Sequence, residues 1–220
     1  MELSYGQRLR LCNTIRRIRP FPVEGPVGSP STPRPLRADA RRNYERILAV
    51  AREAFAEDGP DTPLDDIARR AGVGAGTLYR RFPSREALIE AVYRADIEEL
   101  SAEAHDLVEK LPPEEALAAW LRAQVAFVTR KRGLATTLKA AIDKDSETFT
   151  LCRTLITDAA AAVLKPAQEA GKVRADVEPR DVLRMGHAIG LACEASPDAV
   201  ERLLAVMLDG LRRPDGDQRP

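Results

Sequence analysis

The sequence predicts an all-α protein. Apolar residues make up 44% of the 220 residues and aromatic residues only 5%. The core must therefore consist mainly of Leu, Val, Ile and Ala, a mixture that favours helices. Apolar residues recur at intervals of three and four along most of the chain, which is the period of an amphipathic helix. No segment of the sequence shows a convincing strand pattern.

Composition and patterning divide the chain into four segments. Residues 1–36 are predicted to form a basic, disordered arm, because six prolines fall between positions 20 and 35 with no apolar face beside them. Residues 37–95 and residues 96–213 carry the helical pattern and form the predicted N-terminal and C-terminal domains. Residues 214–220 are predicted to be a disordered tail.

Charge is unevenly distributed. The net charge is zero overall, with +3 over residues 1–33, +2 over residues 34–95 and −5 over residues 96–220. A basic N-terminal part and an acidic C-terminal part suit an anionic partner that binds at the N-terminal end. Two interpretations of the arm stay open: an extended tail from an upstream start codon, or a basic arm that adds phosphate contacts.

Composition also excludes several classes of protein. The three cysteines, Cys12, Cys152 and Cys193, are too far apart for a CxxC metal site, and their odd number argues against a disulfide scaffold. No apolar run approaches the roughly 20 residues that a transmembrane helix needs, and the N-terminus lacks an apolar run of signal-peptide length. We therefore expect a cytoplasmic protein with no membrane contact, no metal and no cofactor.

Apolar spacing and stop signals define the N-terminal helices. The first helix runs from residue 37 to the Asp58-Gly59-Pro60 stop signal. A short second helix follows Thr62, which can cap it, and breaks at Gly72. Gly74–Phe82 is a third short helix, and Ser84 caps a fourth. The inward residues of the first helix are Tyr44, Ile47, Leu48, Ala51 and Phe55.

The C-terminal half is helical almost throughout. One helix has its apolar face over Leu117–Val128, and a shorter segment spans Leu134–Ile142. Residues 147–170 form a long helix that Pro166 should bend or end, because proline lacks the N–H and clashes with the previous turn. Pro179–Glu194 and Pro197–Arg212 are the last two helices, each with a proline near its start.

Residues 62–85, TPLDDIARRAGVGAGTLYRRFPSR, are the most informative segment. They read as two short helices joined by a tight turn, which is the pattern of a helix-turn-helix. Gly72 allows the positive φ that the turn needs, and Ala68 is small where the second helix must cross close. The predicted core of this unit comprises Ile67, Ala68, Gly72, Val73 and Leu78.

The second helix of this pair contains two glycines in its first turn and ends in two adjacent arginines. Such a helix makes sense if a partner approaches its backbone closely, and a DNA major groove fits. The hydroxyls of Thr77 and Tyr79 can donate to phosphate oxygens, and Arg81 and Arg85 add positive charge. A structural helical hairpin with a solvated arginine pair is the alternative. For Arg37, Arg41, Arg42 and Arg46, a solvated helix face is at least as good an interpretation as phosphate contact.

The run AGVGAGTLYRRFPSREAL closely resembles the signature of the TetR-type (tetracycline-repressor-like) transcriptional regulators. That family has an alanine-glycine-valine turn, a Gly-Thr-Leu-Tyr core, a basic residue, Phe, and a Ser-Lys-Glu-like start of the next helix. The resemblance extends over residues 38–95 and is only generic in the C-terminal half. It implies an N-terminal three-helix helix-turn-helix DNA-binding domain and a C-terminal helical ligand-binding and dimerisation domain.

The resemblance implies DNA contacts for residues at and around the recognition helix. Ala75 and Gly76 would face base edges or the groove floor. Because Ala75 cannot hydrogen-bond a base, the sequence would be read through Arg80, methyl contacts or DNA shape. Gly74 stands where Ser is common, so a side-chain cap is lost at a cost of about 0.5 kcal/mol or less. The phosphate contacts would be Thr62, Thr77, Tyr79, Arg81 and Arg85.

Residues of the C-terminal half indicate a candidate pocket for a ligand. Trp120, Gln124 and Phe127 share one helix face, and an amide between two aromatic rings can contact a ligand in an apolar pocket. Core packing with a satisfied Gln is the alternative. His187 is either a ligand-binding or pH-sensing residue or a satisfied core residue. The candidate pocket comprises Trp120, Gln124, Phe127, Cys152, Met185 and His187.

The last helix is apolar over more than the one side that a terminal helix should bury, and the surplus apolar surface suggests a partner. Gly186 and Gly190 form a small stripe that lets another helix approach closely. TetR-type proteins dimerise through these helices, so the resemblance implies a homodimer that places two recognition helices on successive major-groove turns of a palindrome. The predicted interface comprises Gly186, Gly190, Val200, Leu204, Met207, Leu208 and Leu211.

The sequence thus predicts a bacterial, ligand-responsive regulator of transcription. The resemblance implies a repressor that binds a double-stranded DNA operator and releases it when a small apolar ligand, an effector of unknown identity, binds the C-terminal domain. A regulator without a small-molecule effector, controlled by a protein partner or by abundance, is the alternative. An enzyme is disfavoured, because the sequence has no Ser/His/Asp set, metal-ligand spacing, phosphate loop or nucleotide fingerprint.

Overall fold

A computed structural model describes residues 34–59, 61–130, 147–193 and 196–213. Their secondary structure is helical apart from one isolated bridge between Val173 and Arg212, which confirms the predicted all-α class. None of the described helices is long and apolar enough to cross a membrane. In chain order the described helices are α1 (Arg34–Glu57), α2 (Leu64–Arg70), α3 (Ala75–Arg81), α4 (Arg85–Lys110), α5 (Pro113–Arg130), α6 (Glu147–Glu169), α7 (Pro179–Ala192) and α8 (Pro197–Leu211).

The chain divides into two units, Met1–Ala38 and Asp39–Pro220. Of the first unit the structure describes only residues 34–38, which open α1. The helix therefore begins three residues inside the predicted arm. The rest of that arm, the predicted tail and the predicted segment Leu134–Ile142 lie outside the described residues. All the contacts reported below lie within the second unit.

Local signals set the ends of the N-terminal helices. α1 ends at Glu57, shortly before Gly59 with its φ of 84°. α3 is one residue shorter at each end than the sequence predicts. Ser84 caps α4 as predicted, because its Oγ accepts a hydrogen bond from the Ala87 N–H at 3.2 Å.

α6 continues through Pro166 to Glu169, so this proline does not end the helix. Its missing N–H forfeits one hydrogen bond, and the Ala170 N–H still donates to the Pro166 carbonyl at 2.9 Å. Beyond α6 the chain returns to the end of α8. There the Arg174 N–H donates to the Leu211 carbonyl at 2.9 Å, and the Arg213 N–H donates to the Lys172 carbonyl at 3.2 Å.

α4 contributes to two apolar cores. Leu88 at its beginning packs with residues of α1, α2 and α3, among them Phe55 and Leu78. Leu100, three turns later, packs with residues of α5, α6, α7 and α8, among them Trp120 and Val163. α4 also lies along α6, while α5 packs against α7 and α8. One helix therefore joins the helix-turn-helix to the C-terminal bundle.

Candidate nucleic-acid interface

A small buried core holds α2 and α3 together. Ile67 and Leu78 are fully buried, Ala68 is nearly so, and Val73 is partly buried against them. Gly72 has a φ of 61°, a left-handed conformation that glycine adopts without steric cost. The Val73 N–H donates to the Ala68 carbonyl at 3.0 Å and closes the turn. Ile67, Ala68, Val73 and Leu78 thus meet between α2 and α3 as predicted. Gly72 lies exposed in the turn and is not part of this core.

Every residue of α3 except Leu78 is exposed. Tyr79 keeps 43% of its surface in solvent. A Cβ built on Gly76 would meet nothing within 4 Å, so packing within the described residues gives no reason for glycine there. Glycine inside a helix costs about 1 kcal/mol relative to alanine, and a partner outside the chain would account for it. The exposed residues of α3 are Ala75, Gly76, Thr77, Tyr79, Arg80 and Arg81.

Two guanidinium groups lie on this outer face. The Arg80 Nη2 lies 3.4 Å from the Thr77 Oγ1, and the Arg81 Cζ lies 4.7 Å from the centroid of the Tyr44 ring. Within the described part of the chain, neither arginine forms an ion pair with a carboxylate. Both positive charges are therefore available to an anionic partner.

Thr62 faces the interior and is only 4% exposed. Its hydroxyl donates to the Gly59 carbonyl at 2.8 Å and lies 3.3 Å from the Ala54 carbonyl. The residue that precedes α2 is Pro63, with no side-chain cap. The predictions that Thr62 caps α2 and contacts phosphate are both wrong, because its hydroxyl satisfies carbonyls at the end of α1 instead.

Four other arginines predicted near the DNA have partners within the chain, while the side chain of Arg37 lies outside the described part of the structure. Arg85 is partly buried, and its Nη1 donates to the Thr62 carbonyl at 2.5 Å, which ties the start of α4 to the start of α2. On α1, Arg41, Arg42 and Arg46 are exposed and bond within their own helix, to Glu45, Asp39 and Asn43. These three pairs favour the solvated helix face over phosphate contact, the two interpretations that the sequence left open.

Tyr44 contacts the outer face of α3, although the sequence assigns it only to the core of α1. Its ring stacks on Phe82, with centroids 5.7 Å apart and planes inclined by 24°, and Arg81 lies over the same ring. The signal in the sequence was a tyrosine, the one inward residue of α1 with a polar group on its side chain.

Most of the candidate pocket residues lie inside the C-terminal bundle. Trp120 and Cys152 are fully buried, and the Trp120 Nε1 donates to the Leu100 carbonyl at 2.9 Å. Phe127 and Met185 are partly buried against the same interior. Burial and the neighbouring Cys152 raise the pKa of Tyr93 to about 12, so its phenol stays protonated there.

His187 is exposed, and its assignment to the pocket is wrong. On α7 the buried positions are Val182, Gly186 and Gly190. Residue 187 follows Gly186 by one position, about 100° around the helix, and therefore points outwards.

The glycines of α7 accommodate α5 and not a second chain. A Cβ on Gly186 would stand 1.9 Å from the Gln124 Oε1, and a Cβ on Gly190 would stand 2.7 Å from the Val128 Cγ1. The Gln124 Nε2 lies 3.5 Å from the Leu183 carbonyl, and within the described residues its Oε1 has no hydrogen-bond partner. The predicted place of both glycines in a dimer interface is wrong.

Three of the five other residues predicted for the interface also face the interior. Leu204, Met207 and Leu211 are 1%, 8% and 3% exposed, and Val200 and Leu208 pack partly buried against the same core. The assignment of Leu204, Met207 and Leu211 to the dimer interface is wrong, because this face of α8 covers α5 and α7 of its own chain. The assignment of the half-buried Val200 and Leu208 stays a prediction. The large apolar residues of α7 and α8 that are exposed in the described structure are Leu191, Leu203 and Val206, at 38%, 40% and 68%.

A groove of about 440 Å³ runs between α5 and α8. Its floor is apolar, and an ion pair between Arg122 and Glu201 at 3.3 Å lies at its edge. It contains none of the residues predicted for the pocket. The groove is lined by Arg122, Val125, Ala126, Thr129, Arg130, Val200, Glu201 and Leu204.

Family models match both halves of the chain. The model described as bacterial regulatory proteins, tetR family, matches residues 47–92. The model described as transcriptional regulator SbtR-like, C-terminal domain, matches residues 112–213. A relative in Staphylococcus aureus strain USA300, the HTH-type transcriptional regulator SAUSA300_2515, is 36% identical over 64 residues. That match spans 29% of this chain and 35% of the relative, so it covers about a third of the relative's length.

Solved structures resemble the chain over a greater length. The TetR transcriptional regulator SCO0520 from Streptomyces coelicolor is 43% identical with a TM-score of 0.67, covering 76% of this chain and 97% of that one. The TetR transcription regulatory protein from Mycobacterium vanbaalenii is 35% identical with a TM-score of 0.67, covering 81% of this chain and 100% of that one.

Proposed function

Because the chain belongs to the TetR family of bacterial transcriptional regulators, we propose that it is a homodimeric repressor. It binds a palindromic DNA operator and leaves it when a small apolar molecule binds the C-terminal domain. The family consists of DNA-binding regulators and not of enzymes. The operator, the dimer and the effector belong to the proposal.

The observation that carries the proposal is the outer face of α3, where Leu78 alone is buried. In the proposed complex α3 lies in the major groove, with Gly76 against its floor. The hydroxyls of Thr77 and Tyr79 donate to phosphates, and Arg81 adds a charged phosphate contact. Arg80 is the side chain with donors suited to the O6 and N7 atoms of guanine.

A gel-shift titration tests DNA binding. The full-length chain is titrated against the DNA that flanks its own gene, beside scrambled DNA, at several salt concentrations. Selective binding that weakens with salt is expected, because the displaced counterions give log K a negative slope in log salt. Weak binding that is equal on both DNAs would contradict an operator at that position.

Two substitutions test the proposed phosphate contacts of Arg81 and Tyr79. Arg81→Ala should lower the magnitude of the salt slope by about one, the value for one phosphate contact. Tyr79→Phe should weaken binding to all sequences alike, because a phosphate contact carries no sequence information. A loss confined to the operator would contradict the role proposed for Tyr79.

The dimer is proposed to form through the exposed apolar residues of α7 and α8, which are Leu191, Leu203 and Val206. Val206 is 68% exposed, although the transfer of an apolar side chain out of water lowers the free energy. Two-fold symmetry would bring the same face of a second chain against it. This arrangement would replace the buried residues that the sequence predicts.

The effector is proposed to bind in the interior near Trp120, Gln124, Phe127 and Cys152. Support comes from the buried Gln124 amide, whose Oε1 has no partner within the described residues. A ligand with an O–H or N–H donor would satisfy it. To release DNA, the ligand must bind the DNA-free conformation more tightly than the DNA-bound one.

A regulator without a small-molecule effector remains the second candidate. It is favoured by the complete burial of Trp120 and Cys152 and by the hydrogen bond that the Trp120 Nε1 donates to the Leu100 carbonyl, because protein atoms already surround both side chains. A thermal-shift screen of apolar compounds, followed by release of the operator by each hit, separates the two candidates. A compound that stabilises the chain and releases the operator supports the effector, whereas no such compound favours control by a protein partner or by abundance.

A further inference from the structure

Tyr44 lies on α1, outside the helix-turn-helix, yet its ring touches the end of the recognition helix. The Arg81 Cζ lies over the ring, 4.7 Å from its centroid. The ring also stacks on Phe82, the residue that follows α3, at a centroid distance of 5.7 Å. The Arg94 Nη2 lies 3.5 Å from the Tyr44 Oη. One side chain of α1 therefore contacts both the last residue of α3 and its C-terminal cap.

The contact with the ring leaves the hydrogen-bonding capacity of Arg81 intact. A cation is attracted to the face of an aromatic ring by the ring quadrupole, and no acceptor atom is involved. Among the described residues nothing accepts a hydrogen bond from the Arg81 guanidinium, so its N–H donors can bond to a phosphate. Arg41 and Arg42 of α1 differ, because their N–H groups already bond to Glu45 and Asp39.

The ring itself is anchored. Phe82 is 3% exposed and belongs to the core of α1, α2, α3 and the start of α4, so the stack ties Tyr44 to a rigid neighbour. A free arginine side chain samples many rotamers and loses that freedom when it binds. An arginine already ordered against a fixed ring loses less when it meets its partner.

We propose that Tyr44 is a positioning residue that orders Arg81 for a phosphate of the operator. This rests on the proposed function, in which α3 lies in the major groove. Tyr44 acts through Arg81 and needs no DNA contact of its own. Removal of the ring is expected to weaken operator binding by about two- to fivefold, the size of a cation–π contact at an exposed site.

The test compares the full-length chain with the variants Y44F, Y44L, R81A and Y44L/R81A. The probe is the duplex retained in the gel-shift titration, and the dissociation constant is measured at several salt concentrations. Y44F keeps the ring and should retain most of the affinity, whereas Y44L should lose about two- to fivefold. The double variant should bind like R81A alone, because the effect of Y44L passes through Arg81.

Two results would overturn the proposal: a Y44L chain that binds as tightly as wild type, or losses that multiply in the double variant. Thermal unfolding shows whether Y44L remains folded. If Y44L does not fold, NMR of the wild-type chain supplies the test. The Tyr44 ring should shift the resonances of the Arg81 δ-methylene protons upfield. Shifts typical of a free arginine would overturn the positioning role. A wild-type chain that selects no DNA sequence would instead contradict the proposed function, and this inference with it.

Discussion

Gly190 of α7 lies in direct contact with Val128 of α5. A Cβ on residue 190 would stand 2.7 Å from the Val128 Cγ1 and 3.2 Å from the Val125 carbonyl oxygen. Separations this short leave no room for a methyl group unless the two helices move apart. The glycine therefore sets the distance between α5 and α7, and the substitution that tests this is the smallest one available.

Gly190→Ala should destabilise the chain by about 1–3 kcal/mol, the usual cost of overpacking a close helix contact. The free energy of unfolding in urea measures the effect. Gly76→Ala is the matched control, because it also places a methyl group on a helical glycine but meets nothing within 4 Å. Equal stability changes in the two variants would contradict the close contact.

Gly76→Ala should separate stability from DNA binding. In a helix the change to alanine should raise the free energy of unfolding by about 0.5–1 kcal/mol. In the proposed complex the added methyl group stands between α3 and the groove floor, so the operator affinity should fall. Urea unfolding and gel-shift titration on the same preparation check both outcomes. Unchanged affinity would remove Gly76 from the interface.

Val206→Glu and Leu204→Glu should have different effects, although the two residues are only two positions apart on α8. Val206 is exposed, so its replacement should leave the fold intact and turn the proposed dimer into a monomer. Leu204 is 1% exposed, and a carboxylate there should cost about 3 kcal/mol or more in stability. Light scattering after size exclusion gives the oligomeric state, and thermal unfolding gives the stability. A V206E chain that stays dimeric would rule out the proposed face.

Thr62→Val should lower stability without changing the salt dependence of DNA binding. Valine keeps the branched shape but lacks the hydroxyl that bonds to the Gly59 carbonyl, and a lost hydrogen bond of this kind costs about 1 kcal/mol. The urea midpoint and the salt slope are measured together. A slope reduced by about one would restore the phosphate contact that the sequence predicts for Thr62.

The helix-turn-helix could be predicted from the sequence because its contacts are local. Ile67, Gly72 and Leu78 fall within twelve consecutive residues, so helical spacing and one turn decide which side chains meet. Thr62 shows the limit of such local signals. The cap pattern predicts a bond to α2, but the hydroxyl turns back to the carbonyls of α1.

The C-terminal bundle was harder to predict, because periodicity groups residues on a face but does not say which neighbour covers that face. Surplus apolar surface on α8 was correctly expected, yet Leu204 and Met207 turned inwards while Leu203 and Val206 remained exposed. The small stripe on α7 likewise indicated a close helix, and that helix proved to be α5 of the same chain. Contacts between distant parts of the chain decide both cases.

The length of α4, 26 residues, would enlarge any tilt of this helix. At a rise of 1.5 Å per residue the helix is about 39 Å long, and a tilt of about 5° around one end would displace the other by about 3 Å. A hinge within α4 is not needed for this, since Leu88 and Leu100 of the same helix pack in the N-terminal and the C-terminal core. A rearrangement of the C-terminal bundle too small to disturb its packing would therefore reach the helix-turn-helix enlarged.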